Sequence, residues 1–210
     1  MFELKLRMKL LSDTIFGNGE SVPGGEDISV LCDKYGFPYY KAGTFKGIFR
    51  EELERYLSWT MENKEEINKR VTELLGDEGE DLISNEGRLI FSDFELSSAI
   101  KQAIYEEVKV IVEEPILEND KIEKIKINKD KILNCLSHIR AFTSIDEDGV
   151  VKEGSLRNAR CINKGLYFYS EVKVDNEEDE KLVEEVVSLI KWVGSLRNKG
   201  FGKVEITVVK

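Results

Sequence analysis

The chain opens on FELKLRMKLL (2–11), where Phe2, Leu4, Leu6, Met8 and Leu10 alternate without a break with Glu3, Lys5, Arg7 and Lys9. A period of two sends the apolar set to one face of a strand and the charged set to the other, so the segment lines a core on one side only. The chain closes on GFGKVEITVV (200–209), a second alternating strand. After the first strand, Phe45, Ile48, Phe49, Leu53, Tyr56 and Leu57 recur at helical spacing, and RLIFSDFEL (88–96) reads as a strand. Before the last strand, LYFYSEVKV (166–174) reads as a strand by its aromatic and β-branched content. A helix with Leu182, Val183, Val186, Val187, Leu189, Ile190 and Val193 on its buried side follows it. Strand–helix–strand twice over is the split βαβ of an α+β, ferredoxin-like fold. The single domain, 1–210, then has a core at 1–96 and 166–210 and a long insertion at 97–165.

Local signals set expected boundaries. Thr44 is placed to cap the first helix, and Lys46, Gly47, Arg50 and Glu54 fall on its polar side. Residues 62–75 read as a second, solvated helix, and 97–113 as a helix that drifts into a β-branched run. Residues 116–127 read as charged and irregular, and 129–139 as a short helix carrying His138. The stretch 140–162 is hairpin-like, with Asp148-Gly149 as its turn signal. Asp175 or Asn176 should cap the last helix and Gly194 should end it.

No apolar run approaches the ~20 residues needed to span a bilayer, and the first eleven residues are a strand and not a signal peptide, so cytoplasmic residence is the expectation. The cysteines, Cys32, Cys135 and Cys161, have no CxxC spacing, which argues against a disulfide framework or structural zinc and for buried thiols. A net charge of −10 argues at first against a nucleic-acid partner. The acids, however, are concentrated at 62–86 and 175–185. Basic clusters stand apart at Lys41/Lys46/Arg50, Arg157/Arg160/Lys164 and Arg197/Lys199/Lys203.

These clusters carry the chemistry. GSLRNKGFGKVEI (194–206) can present backbone amides to an anion around Gly200 and Gly202, with Arg197, Lys199 and Lys203 adding charge. It is not a Walker A loop, because GFGK runs into a strand with valine where serine or threonine should be. An ordinary helix cap and turn would look the same. Lys46 and Arg50 share one side of a helix start beside Gly47, where a backbone could pass close. A second GSLRN (154–158) sits in the hairpin with Arg140, Arg157 and Arg160, whose donor forks suit phosphate. His138, the single histidine, has no evident partner and reads as structural or surface. Asp27, on a glycine-flanked loop, could hold a divalent ion or accept a proton from a 2′-hydroxyl. Glu20, Glu26 and Asp33 compete with it, and residue chemistry does not rank them.

The segments LLSDTIFGNGES, DISVLCDKYGFPYYKAGTFKGIFREEL, IRAFTSIDEDGVVKEGSLR and GSLRNKGFGKVEI, in that order, resemble the RAMP superfamily of CRISPR-associated proteins. More narrowly, they resemble the backbone subunit of type III (Csm/Cmr-type) RNA-targeting effector complexes. The resemblance implies an RRM-like core, a thumb hairpin within 140–162, and copies stacked along a guide RNA (crRNA) beside other CRISPR effector subunits. It implies cutting of target RNA at Asp27 with a divalent ion, magnesium or manganese. It also implies guide contacts at Lys46, Arg50 and the 194–203 loop. The chain departs from the family pattern at Lys41-Ala42, where Pro-Gly is usual, and at Ser29, where proline is usual. A non-catalytic structural subunit and a stand-alone pre-guide-RNA-processing endoribonuclease are the alternatives. A ferredoxin-like module with no RNA partner is disfavoured by the basic glycine sites.

Overall fold

The alternation at the N-terminus is realised as β1 (Phe2–Leu10), with Leu4, Leu6, Met8 and Leu10 buried and Glu3, Lys5 and Arg7 exposed. The structure is a computed structural model describing residues 2–19, 26–77, 87–117, 120–126, 128–143, 148–150 and 154–209. The remaining elements, numbered in chain order, are α1 (Ala42–Leu57), α2 (Lys64–Leu75), β2 (Ile90–Phe91), α3 (Ser98–Val108), β3 (Val110–Leu117), β4 (Asp120–Lys126), α4 (Lys129–Leu136), β5 (Ser137–Phe142), β6 (Arg157–Ile162), β7 (Tyr167–Val174), α5 (Glu177–Leu189) and β8 (Val204–Val209).

Two units divide these elements, Met1–Thr14 with Tyr40–Glu95 and Lys164–Lys210 in one, and Ile15–Tyr39 with Leu96–Asn163 in the other. In the first, β1 pairs antiparallel with β7 and with β8, and β7 pairs antiparallel with β2. The sheet order β2-β7-β1-β8 is the split βαβ order of a ferredoxin-like fold. One face of this sheet is the core. Phe45 and Phe49 of α1 reach Phe91 and Phe94, with the Phe45 and Phe94 ring centroids 4.6 Å apart in an edge-on arrangement. Such pairs add about 0.5–1.5 kcal/mol beyond area burial. Val183, Val186 and Val187 of α5 are buried as well.

The second unit holds two antiparallel pairs, β3 with β4 and β5 with β6. Residues 26–30 run along the free edge of β6, with Ile28 bridged in parallel to Ala159. The hairpin expected at 140–162 is therefore β5 and β6, joined by residues 143–156. Gly149 has a positive φ of 79°, as a turn residue should.

Several expected boundaries are corrected. Helix α1 starts at Ala42, and Thr44 lies inside its first turn; the first amide is satisfied by Asp93 Oδ1 at 2.7 Å, a carboxylate far along the chain. The strand expected at 88–96 is two residues of β2 followed by single bridges at Phe94 and Glu95. The β-branched run after α3 and the charged segment that follows are the β3–β4 pair, with Pro115 tolerated at a register irregularity. Helix α4 stops at Leu136, so His138 belongs to β5. Helix α5 is capped by the Asn176 side chain, which accepts from the Asp179 amide at 2.9 Å. It ends at Leu189, ahead of Gly194. Of the cysteines only Cys161 is buried; Cys32 is half-buried and Cys135 exposed.

Candidate nucleic-acid interface

In the first unit the basic glycine segment is a hairpin. Val193 donates to the Gly202 carbonyl at 2.8 Å and Val204 to Lys191 at 2.9 Å, with Trp192 bridged to Lys203. The hairpin is tied to the end of β1, because Leu11 donates to the Lys203 carbonyl at 2.8 Å and Gly202 to the Asp13 carbonyl at 2.9 Å. Its tip is a single 3-10 turn, Arg197–Lys199, whose residues are exposed. Leu196 enters that turn with φ 56°, a left-handed conformation that costs a non-glycine residue of order 1 kcal/mol.

The two glycines of this hairpin differ. Gly200 (φ 85°) is exposed, and a Cβ there would meet nothing within 4 Å. Gly202 (φ 79°) is buried, and a Cβ would overlap the Val193 carbonyl oxygen. Gly202 is thus demanded by the chain's own packing, while nothing among the described residues crowds Gly200. Lys203 is exposed at the hairpin's exit.

The start of α1 lies in the same unit. Lys41 is exposed and precedes the helix, and Lys46 is half-buried in its second turn. With the first amide bound by Asp93, the anion at this helix start is the chain's own carboxylate. Gly47 is exposed inside the helix with open space where a Cβ would go. It costs about 0.5–1 kcal/mol relative to alanine, and no packing among the described residues requires it. Arg50 donates to the Gly76 carbonyl at 2.7 Å, closing the C-terminal end of α2. Tyr40, which follows Gly-Phe-Pro-Tyr (36–39) and which residue-type reasoning did not single out, is buried. Burial pushes its hydroxyl pKa up, against the opposing pull of the Gly194 backbone and of Arg197.

Asp27 belongs to the second unit, where the described acids of its loop, Glu26, Asp27 and Asp33, have different surroundings. Its amide donates to the Asn158 carbonyl at 2.8 Å, and its Oδ2 accepts the Asn158 amide at 2.7 Å. Arg157 Nη1 stands 3.8 Å from the other carboxylate oxygen, with side chains 64% and 39% exposed respectively. Asp27 is therefore an exposed carboxylate clamped to the start of β6. Glu26 is bound by Arg160 through Nε at 2.6 Å, and Arg160 also reaches Asn134 and Ser137. Asp33 accepts from Tyr35 and Phe37 in a local turn. Glu20 lies outside the described residues. Arg140 is exposed on β5, stacked at 6.0 Å over the Phe142 ring. His138 pairs with Asn163 at the far end of the same strands.

Among the described residues no group of three His, Cys, Asp or Glu side chains could hold a metal ion. Asp27 alone is one carboxylate beside an arginine, so the described residues do not by themselves make a magnesium or manganese cage.

The RAMP superfamily model matches residues 7–205. The chain belongs to the RAMP superfamily. No curated protein matches this RAMP chain by sequence. Among solved structures it superposes on a chain of a Type III-B Cmr-beta complex bound to cognate target RNA, with TM-score 0.66, 14% identity, and coverage of 99% of this chain and 97% of that one. The apo Type III-B Cmr-beta complex matches with TM-score 0.67, 14% identity, and coverage of 100% and 98%. A Type IV-B CRISPR complex matches with TM-score 0.62, 11% identity, and coverage of 99% and 90%. At these identities the likeness is one of fold. Among the described residues of this RAMP protein, no helix is long and apolar enough to cross a membrane.

Proposed function

We propose that this RAMP protein is a guide-RNA-binding backbone subunit of a type III CRISPR effector complex and that it cuts complementary target RNA at Asp27. The observation that carries the cutting is the clamp on Asp27: its carboxylate is exposed, yet its backbone and Oδ2 are fixed by Asn158. The exposed hairpin tip supports RNA contact, as do glycines 47 and 200, where among the described residues a Cβ would meet nothing within 4 Å.

In the proposed reaction the 2′-oxygen attacks the adjacent phosphorus while Asp27 takes the 2′-hydroxyl proton. The bond from phosphorus to the 5′-oxygen breaks, and that oxygen takes a proton from solvent. The products are a 2′,3′-cyclic phosphate and a 5′-hydroxyl. Arg157, beside Asp27, is placed to offset charge on the phosphorane. One observation favours a non-catalytic RNA-binding subunit instead: Glu26 and Asp33 are both engaged elsewhere, so among the described acids of this loop Asp27 has no second carboxylate to work with.

The experiment compares Asp27→Asn with wild type in the assembled complex. Asparagine keeps an acceptor for the Asn158 amide and removes the charge. Target cutting should fall ~10²-fold or more while guide and target binding hold. Undiminished cutting would refute the assignment. Equal losses of cutting and assembly would make Asp27 structural.

A further inference from the structure

Arg157 and Arg160 both lie on β6 and differ in what holds them. Arg157 is exposed beside Asp27. The Arg160 side chain is 12% exposed, and each nitrogen of its guanidinium has a partner inside the second unit. Nε donates to Glu26 Oε1 at 2.6 Å, and Nη2 meets the same oxygen. Nη1 donates to Asn134 Oδ1 on α4 at 2.8 Å and to Ser137 Oγ at the start of β5 at 3.1 Å. Ser137 is buried, and its hydroxyl donates in turn to the Leu133 carbonyl of α4 at 2.6 Å. The Glu26 side chain is 16% exposed, so the ion pair stands largely out of water, where screening is weak. The main chain repeats the link, because the Arg160 amide donates to the Ile28 carbonyl at 3.0 Å. Glu26 and Ile28, the residues on either side of Asp27, are therefore both held by Arg160.

We infer that Arg160, through Glu26, is a positioning residue for Asp27: it fixes the loop that carries the carboxylate and does not itself contact RNA. The inference rests on the reading that Asp27 takes the 2′-hydroxyl proton. Its physical reason is distance. Proton abstraction needs heavy atoms within about 2.6–3.2 Å of each other, and a misplacement of about 1 Å can cost 10²-fold. Asn158 holds Asp27 itself, through the backbone and one carboxylate oxygen. Arg160 sets how the chain enters and leaves that residue. An exposed ion pair would order the loop weakly. A planar fork met on Glu26, Asn134 and Ser137 at once admits one arrangement, and lysine could not reproduce it. The same engagement takes Arg160 out of the phosphate-gripping role that its residue type suggested.

The test uses the assembled complex with guide and a labelled complementary target RNA. Target affinity across a salt series and single-turnover cutting at saturating target are measured for each variant, with Asp27→Asn as the reference. Arg160→Lys keeps the charge and loses the fork, so cutting should fall about 10-fold or more while target affinity holds. Glu26→Ala should behave alike, and Glu26→Gln, which keeps an acceptor for Arg160, should recover most of the cutting. Arg160→Gln paired with Glu26→Gln removes both charges and leaves neither unpaired; its slope of log affinity against log salt should match wild type. A slope shallower by about 0.7, the value of one lost phosphate contact, would make Arg160 an RNA contact and overturn the inference. Wild-type cutting by Arg160→Lys and Glu26→Ala, with Asp27→Asn impaired, would also overturn it and leave Asp27 in place. Failure of every variant to assemble, Glu26→Gln and the paired glutamines included, would make the tie a determinant of folding alone and overturn it too. Undiminished cutting by Asp27→Asn would overturn the function proposed above and this inference with it.

Discussion

Gly200 and Gly202 are two residues apart in one hairpin, and alanine should expose the difference between them. Each has a left-handed φ, 85° and 79°, which costs an L-residue about 1–2 kcal/mol. At Gly200 that is the whole cost, because a Cβ meets nothing within 4 Å. At Gly202 the Cβ overlaps the Val193 carbonyl, and relief requires residues 193 and 202 to part. Parting strains the Val193-to-Gly202 and Gly202-to-Asp13 hydrogen bonds at a buried position, about 1–3 kcal/mol for a group left unsatisfied. Gly202→Ala should thus destabilise the first unit by about 2–5 kcal/mol and Gly200→Ala by about 1–2 kcal/mol. Trp192, bridged to Lys203 in the same hairpin, makes tryptophan fluorescence in a urea titration the natural readout. Because Gly200→Ala stays folded, its RNA affinity is interpretable, and it should fall more than that of Lys199→Ala. Stabilities of the two alanine variants within about 0.5 kcal/mol of each other would refute the packing argument.

Binding of single-stranded RNA to the wild-type chain should weaken steeply with salt, and removing Arg197, Lys199 and Lys203 together should reduce the log–log slope by about 2, or ~0.7 per lost phosphate contact; an unchanged slope would remove the hairpin from the interface. Thiol labelling should discriminate the cysteines. Burial, with Asp33 adding to it, pushes the Cys32 thiol up to about 11, so at pH 8 its thiolate fraction is far below that of an ordinary cysteine. A maleimide should modify exposed Cys135 first and leave Cys32 and buried Cys161 slow in the native protein, as mass spectrometry of digested peptides would show.

The ferredoxin-like core was legible because its information is local. The period of two in β1 and the helical spacing of Phe45, Phe49 and Leu53 each state a buried face within one segment. What sequence missed depended on distant partners. The start of α1 is set by Asp93, which no reading of residues 40–50 contains. The end of α5 was hidden because Ile190 and Val193 continue the apolar pattern, although Lys191 and Val193 already pair with the returning hairpin. The β3–β4 pair was disguised by Pro115 and by dense charge.

The candidate site divides in the same way. Its residue types were visible, and a glycine such as Gly200 could be suspected of serving a ligand. The distinction between Gly200 and Gly202 could not be made, because it rests on the position of the Val193 carbonyl. The clamp on Asp27 spans a sequence separation of 131 residues to Asn158, so no local reading could tell its surroundings from those of Glu26 and Asp33.

The most direct test of the central claim is the nucleic acid that accompanies the protein when it is purified from cells carrying a CRISPR array and the companion effector subunits. The account predicts RNA of discrete, guide-like length, with sequences matching the array, retained after a high-salt wash of the assembled complex and lost when Arg197, Lys199 and Lys203 are replaced together. Protein that assembles with those subunits yet carries no RNA, or carries only RNA of random length and sequence, would contradict it.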